Sequence, residues 1–164
     1  MVFFRFGWAK PVPINTRYFK KPRRDMAITA LCGPLSNFLL AFFGAFLYFA
    51  VSAIFKAAMA GGTPSVFASL CMQYTLQFLY LFHFLNLTLG LFNLIPLPPL
   101  DGSRIFCVFL PARAYYAVMK YEKYMAIALM LLLYFGFFNN ILTEAASRIS
   151  YAFFSIFYSI PGFL

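Results

Sequence analysis

Only four acidic side chains occur in these 164 residues, Asp25, Asp101, Glu122 and Glu144, beside a single histidine, His83. Any chemistry that needs a carboxylate, a metal ligand or a general base must be built from this inventory. Asp101 has the most unusual setting of the five. It follows Asn-Leu-Ile-Pro-Leu-Pro-Pro-Leu at 93–100 and precedes Gly102. Pro96, Pro98 and Pro99 cannot continue the apolar helix ahead of them, because each lacks a backbone donor and its ring crowds the preceding turn. The helix therefore stops near Asn93. Backbone released at membrane depth is tolerated only where it is buried in protein or lines a hydrated cavity, and a carboxylate beside such a break is a functional-site candidate. Asp before Gly also has an ordinary local reading as a turn or helix cap.

His83 lies ten residues before Asn93, about 15 Å of helical rise. It shares no metal with Asp101 unless the chain doubles back, so it reads as a core histidine with internal hydrogen bonds. Cys32, Cys71 and Cys107 are odd in number and widely spaced, without a Cys-x-x-Cys pair. Neither a disulfide framework nor a structural zinc site is implied, and all three read as small buried hydrophobes.

The elements that must position Asp101 are set by composition. With 63% hydrophobic and 10% charged residues and 24 Phe, the chain lies outside the range of soluble domains. Spanning helices need about 20 apolar residues, and the sequence predicts an all-α polytopic membrane protein with three transmembrane helices. The first begins with Asp25 as N-cap and runs to about Lys56, with a kink offered by Gly33-Pro34. Gly33, Asn37, Ala41 and Gly44 share one of its faces and let another helix approach closely, with Asn37 expected to hydrogen-bond across the contact. After a turn at Gly61-Gly62-Thr63-Pro64, the second helix runs from about Val66 to Leu94, presenting Asn86, Gly90 and Asn93 on one face. A short re-entrant or interfacial helix is predicted over 103–110, ended by Pro111, and a third span over about 124–138. From Ile149 the chain turns apolar again, and the sequence leaves open whether this fourth segment dips into the bilayer or crosses it. With no internal repeat or low-complexity linker, 1–164 reads as a single membrane domain: a basic interfacial segment at 1–25, a membrane core at 26–138 and a tail at 139–164.

The net charge of +9 is concentrated at the start, where Arg5, Lys10, Arg17, Lys20, Lys21, Arg23 and Arg24 account for seven of the 13 basic residues. Beside an apolar helix such a cluster reads as a cytoplasmic anchor rather than a nucleic-acid patch, so membrane lipids and no nucleic acid are the expected contacts. Arg104, Arg113, Lys120 and Lys123 follow after two crossings and fall on the same side, which makes the charge rule self-consistent. Gly7, Pro11, Pro13 and Pro22 are spaced too closely for a helix, so 1–25 is expected to be extended or hairpin structure. Trp8, Tyr18 and Phe19 suit the membrane–water boundary. No secretory signal pattern is present, and the first hydrophobic helix must direct insertion.

Asn-x-x-Pro-x-x-x-x-Asp-Gly at 93, 96, 101 and 102 closely resembles the signature of the site-2 protease family of intramembrane zinc metalloproteases. Gly-Trp-Ala-Lys-Pro-Val-Pro at 7–13, and Arg-Arg-Asp-Met-Ala through Gly-Pro-Leu-Ser-Asn at 23–37, resemble the family's prokaryotic branch. The three segments occur in the family's order and together cover most of residues 7–111. The resemblance implies a membrane-buried zinc held by two histidines and an aspartate, with Asp101 matching the metal ligand. It implies substrate-binding roles for Asn93 and Pro96, a transmembrane peptide as substrate, and a prokaryotic plasma membrane location with the N-terminus cytoplasmic. An N-terminal hairpin similar to the family's membrane-associated sheet would present substrate as an added strand.

The family's His-Glu-x-x-His helix is absent from these 164 residues. In the family it precedes the segment matched at 7–13, so the chain is expected to be truncated at its N-terminus relative to the family pattern. Two of the three protein ligands for zinc are missing, and no catalytic residue is assigned in this chain. With the missing helix supplied upstream or by a separate chain, the expected activity is zinc-dependent intramembrane proteolysis. The alternative is a non-catalytic pseudoprotease that binds or chaperones membrane segments. A small transporter-like protein is a weaker third reading, suggested only by the broken helix.

Overall fold

Proline at the first position of a helix needs no backbone donor and arrives with its φ already set, and Pro22 opens the first helix. The structure, a computed structural model, describes residues 19–59, 62 and 64–160. Helix α1 runs over Pro22–Met59, starting three residues before the predicted N-cap. Asp25 lies inside its first turn, where its carboxylate accepts a hydrogen bond from the Lys21 N–H at 3.0 Å. The 38 residues of α1 rise about 57 Å, more than the roughly 45 Å of a bilayer with its headgroups. Pro34 sits within it, fully buried.

Helix α2 (Val66–Asn93) is capped by Ser65, whose hydroxyl accepts from the Ala68 N–H at 3.2 Å. Helix α3 (Asp101–Cys107) follows the proline-rich break, where a short helix is expected, and begins at Asp101 itself. The sequence reading missed α4 (Ala112–Lys120), which Pro111 introduces in extended conformation as N-cap. Nine residues with basic ends lack the apolar length that marks a span, which is why hydropathy does not reveal this helix. Helix α5 (Glu122–Tyr134) is 13 residues long, about 20 Å, too short to cross alone. Gly136, at φ 72°, takes the left-handed conformation that glycine permits, and α6 (Asn139–Tyr158) leaves at 79° to α5.

The described residues are therefore all-helical, with two helices, α1 and α2, each long and apolar enough to cross a membrane and a third span if the bent α5–α6 pair counts as one. Of the segment 1–25, expected to be extended or hairpin structure, residues 22–25 are instead the first turn of α1, and residues 1–18 lie outside the described residues, as do residues 61 and 63 of the Gly61–Pro64 turn.

Helix α1 is the common partner, packing against α2, α3 and α6. Lipid tails are as apolar as leucine, so helices gain by close van der Waals approach over small residues. Ala41, Leu87 and Ala146, from α1, α2 and α6, form one fully buried cluster, and Ala45, Phe49 and Phe157 form a second. The 139–164 segment, read from sequence as a tail, supplies Ala146, Ser150, Phe153 and Phe157 along one helical face of this core. Large apolar side chains such as Leu39 and Phe78 point outward, as expected where the surroundings are hydrocarbon. Cys107 is buried as predicted, whereas Cys32 and Cys71 are exposed on the apolar helix surfaces.

Candidate functional site

The chain breaks between α2 and α3 without leaving a backbone donor unsatisfied. From Leu94 to Leu100 only four residues carry an N–H, and each is bonded within the turn. Leu94 donates to Gly90 and Leu91, Ile95 to Phe92, Leu97 to Ile95, and Leu100 to Leu97. The other three positions are prolines, which have no donor to satisfy. A break in apolar surroundings is tolerated for that reason. Gly102 then lies so close to the carbonyls of Leu94 and Ile95 that no β-carbon fits. This contact clamps the first turn of α3 against the end of α2 and keeps Asp101 beside the Asn93 end of the break.

Asp101 lies half-buried over Gly33 of α1. A β-carbon added at Gly33 would stand 2.7 Å from Asp101 Oδ2, so the missing side chain is what admits the carboxylate. Among the described residues Asp101 makes no side-chain hydrogen bond or ion pair. Burial pushes its carboxyl above the usual carboxylate range, with the Arg104 charge pulling the other way. The result is a carboxylate held in place by packing, with its oxygens uncommitted.

The rest of the small-residue face of α1 serves helix packing, as its spacing predicts. Gly90 of α2 rests against Asn37 and Phe38, and Gly44 against Phe82 and His83. The expected hydrogen bond from Asn37 is not formed with any described residue; its β-carbon packs on Gly90 instead. The polar link across this region is His83, fully buried, whose Nδ1 lies 2.7 Å from the Ala41 carbonyl and whose Nε2 lies 2.9 Å from Ser150 Oγ. A carbonyl only accepts, so Nδ1 carries the proton and Nε2 accepts from the Ser150 hydroxyl. Both ring nitrogens are used, and Phe154 stacks on the ring at 5.1 Å. His83 is the core histidine that the sequence predicts. Its contact at Ala41 is eight residues along α1 from Gly33, about 12 Å, which separates it from Asp101.

Asn93 ends α2, half-buried, with no side-chain hydrogen bond among the described residues, and Pro96 is exposed on the turn. Asn86 donates to the Phe82 carbonyl at 2.8 Å and is occupied within its own helix. Sequence reasoning missed Gly33 as the floor under Asp101 and Gly102 as the clamp. Their signal was present in the small-residue spacing and the Asp-Gly pair, but it does not specify which partner each glycine meets.

Among the described residues, no group of three His, Cys, Asp or Glu side chains comes together to hold a metal ion. The full sequence adds no further histidine or acid. Asp101 suits one zinc ligand, being a partly buried carboxylate with free oxygens, but the donor set of this chain does not complete a three-ligand zinc site.

Comparison with known proteins adds two findings. The profile described as "Peptidase family M50" matches residues 7–137. A Bacillus subtilis (strain 168) protein named "Putative zinc metalloprotease YwhC" is 39% identical over 129 residues, covering 77% of this chain and 54% of the relative. The chain thus spans about half the length of that curated relative. No solved structure matches it significantly.

Proposed function

This chain belongs to peptidase family M50, the site-2 protease family, and we propose that it contributes the carboxylate-ligand half of an intramembrane zinc protease site. The observation that carries the proposal is the uncommitted Asp101 carboxylate, seated over Gly33 at the end of a break whose backbone N–H donors are all bonded. A purely structural aspartate would be expected to cap a turn or pair with a cation, as Asp25 does with Arg24 at 3.1 Å. Asn93, with its amide free beside the break, is placed in the role of orienting a substrate peptide, and Pro96 fixes the exposed backbone between Asn93 and Asp101. Hydrolysis of a transmembrane peptide needs two histidine ligands and a glutamate that are not among these 164 residues, so the activity belongs to an assembly that also contains a His-Glu-x-x-His helix. The basic start of α1 and the basic residues of α3 to α5 favour an orientation with this end of the protein in the cytoplasm.

The test compares the 164-residue protein alone with the same protein joined, ahead of residue 7, to a membrane helix bearing His-Glu-x-x-His. Zinc per polypeptide and cleavage of a transmembrane peptide in liposomes are read for both. Zinc binding and cleavage that appear only in the joined protein, and vanish in its Asp101→Ala variant, are the expected result. Undiminished zinc and cleavage in that variant would remove the ligand role. Stable peptide binding without zinc or cleavage in the joined protein would favour the non-catalytic reading.

A further inference from the structure

Where α1 emerges at its basic end, it meets the amphipathic helix α4 across an open cleft of about 720 Å³. One wall carries Lys21, Arg23 and Arg24, and the other carries Tyr115 and Tyr116, with Met26 among the apolar residues between them. Arg24 is tied to Asp25 at 3.1 Å. The Arg23 guanidinium lies over the Tyr115 ring, 5.1 Å from its centroid, which joins the two walls and leaves the guanidinium's N–H donors available. Lys21 has no side-chain partner among the described residues. The cleft shares Arg24 and Val108 with an adjoining groove of about 150 Å³, whose other lining side chains, Ala27, Leu31, Ile105 and Phe109 among them, are apolar.

We propose that this paired cleft and groove is a binding site for an anionic phospholipid, with its phosphate between Lys21, Arg23 and the tyrosines and an acyl chain along the α1–α3 groove. Two features select this occupant. The charges and the apolar channel are contiguous, and a phospholipid is the molecule of the bilayer that carries an anion and a long apolar chain on one backbone. The cleft also lies at the end of a membrane-crossing helix and is walled by tyrosines, which belong at headgroup depth. Cations near an anionic membrane surface each contribute about fivefold in affinity. Neither Asp101 nor Gly33 lines the site, and it makes no use of zinc.

Native mass spectrometry of the intact detergent-purified protein tests this, titrating phosphatidylglycerol, phosphatidylcholine with the same acyl chains, and inorganic phosphate. Phosphatidylglycerol is expected to bind more tightly than the other two. Lys21→Gln and Arg23→Gln should each weaken it about fivefold, while Arg113→Gln, exposed on the same α4 but outside the cleft, should leave it unchanged. Val108→Trp, which fills the junction without altering charge, should weaken phosphatidylglycerol by a similar factor. Binding of phosphatidylcholine or of inorganic phosphate as tight as that of phosphatidylglycerol, equal loss in Arg113→Gln, or undiminished binding in Val108→Trp would each overturn the proposal. Loss in the cleft variants accompanied by loss of the folded helical signal would be assigned to unfolding, and the Val108→Leu variant, expected to bind normally and overturning the proposal if it does not, then decides.

Discussion

Two titratable side chains rest on the same face of α1, and they are treated in opposite ways. His83 is fully buried, with both ring nitrogens bonded, to Ala41 on one helix and Ser150 on another. Asp101 is half-buried over Gly33, about 12 Å along the helix, and its side chain holds no hydrogen bond among the described residues. A buried polar group with every bond made is fastening three helices together. A carboxylate placed by packing and left unbonded keeps its lone pairs for something else. The contrast separates a committed from an uncommitted polar group more sharply than residue type does, since on type alone the histidine is the better metal ligand.

The contrast is most exposed to failure at Asp101. In the protein joined to a His-Glu-x-x-His helix, Asp101→Ala is expected to lower peptide cleavage by more than about 100-fold, while chemical unfolding of the 164-residue protein shifts by less than about 0.5 kcal/mol. A large stability loss with activity retained would invert the assignment of the two residues. His83→Ala should do the reverse, costing about 2–3 kcal/mol through the cavity it opens and the bonds it breaks. Ser150→Ala, which removes one of those bonds, should cost about 0.6 kcal/mol.

Gly33→Ala sharpens the comparison while leaving both side chains chemically intact. Its β-carbon would collide with Asp101 Oδ2, so the carboxylate must move. Zinc content and cleavage in the joined protein should fall about tenfold, with stability changed by less than about 1 kcal/mol. Unchanged zinc content would mean that the seat over Gly33 does not position the carboxylate. The smallest effect is expected from Asn93→Ala, a several-fold loss of turnover at nearly constant zinc content, measured as kcat against metal per chain. Loss of zinc ahead of turnover would count against a substrate-orienting role.

Much of the fold is written in contiguous stretches of the chain. The apolar lengths that become α1 and α2, the stop at Asn93 and the short helix after it follow from hydropathy and from three prolines, and those properties need no knowledge of the rest of the molecule. The same holds for the matched segments at 7–13, 23–37 and 93–102, which carry the family assignment. The helix over 112–120 was illegible because its amphipathic pattern is too short to rise above its basic surroundings. The start of α1 was misplaced because proline and aspartate both mark helix beginnings, and here proline holds the first position while the aspartate reaches back from within the turn.

The sequence by itself determined that this is a membrane protein of family M50, and it singled out Asp101 by its place in the 93–102 motif and His83 as a core residue unless the chain doubled back. Only the tertiary structure decided what those residues touch. That Gly33 makes room for Asp101, that Gly102 locks the break, and that Ser150 reaches His83 across 67 positions of sequence depend on which helix faces meet. A small residue in the sequence signals that something can come close. The packing of three helices is what selects the neighbour.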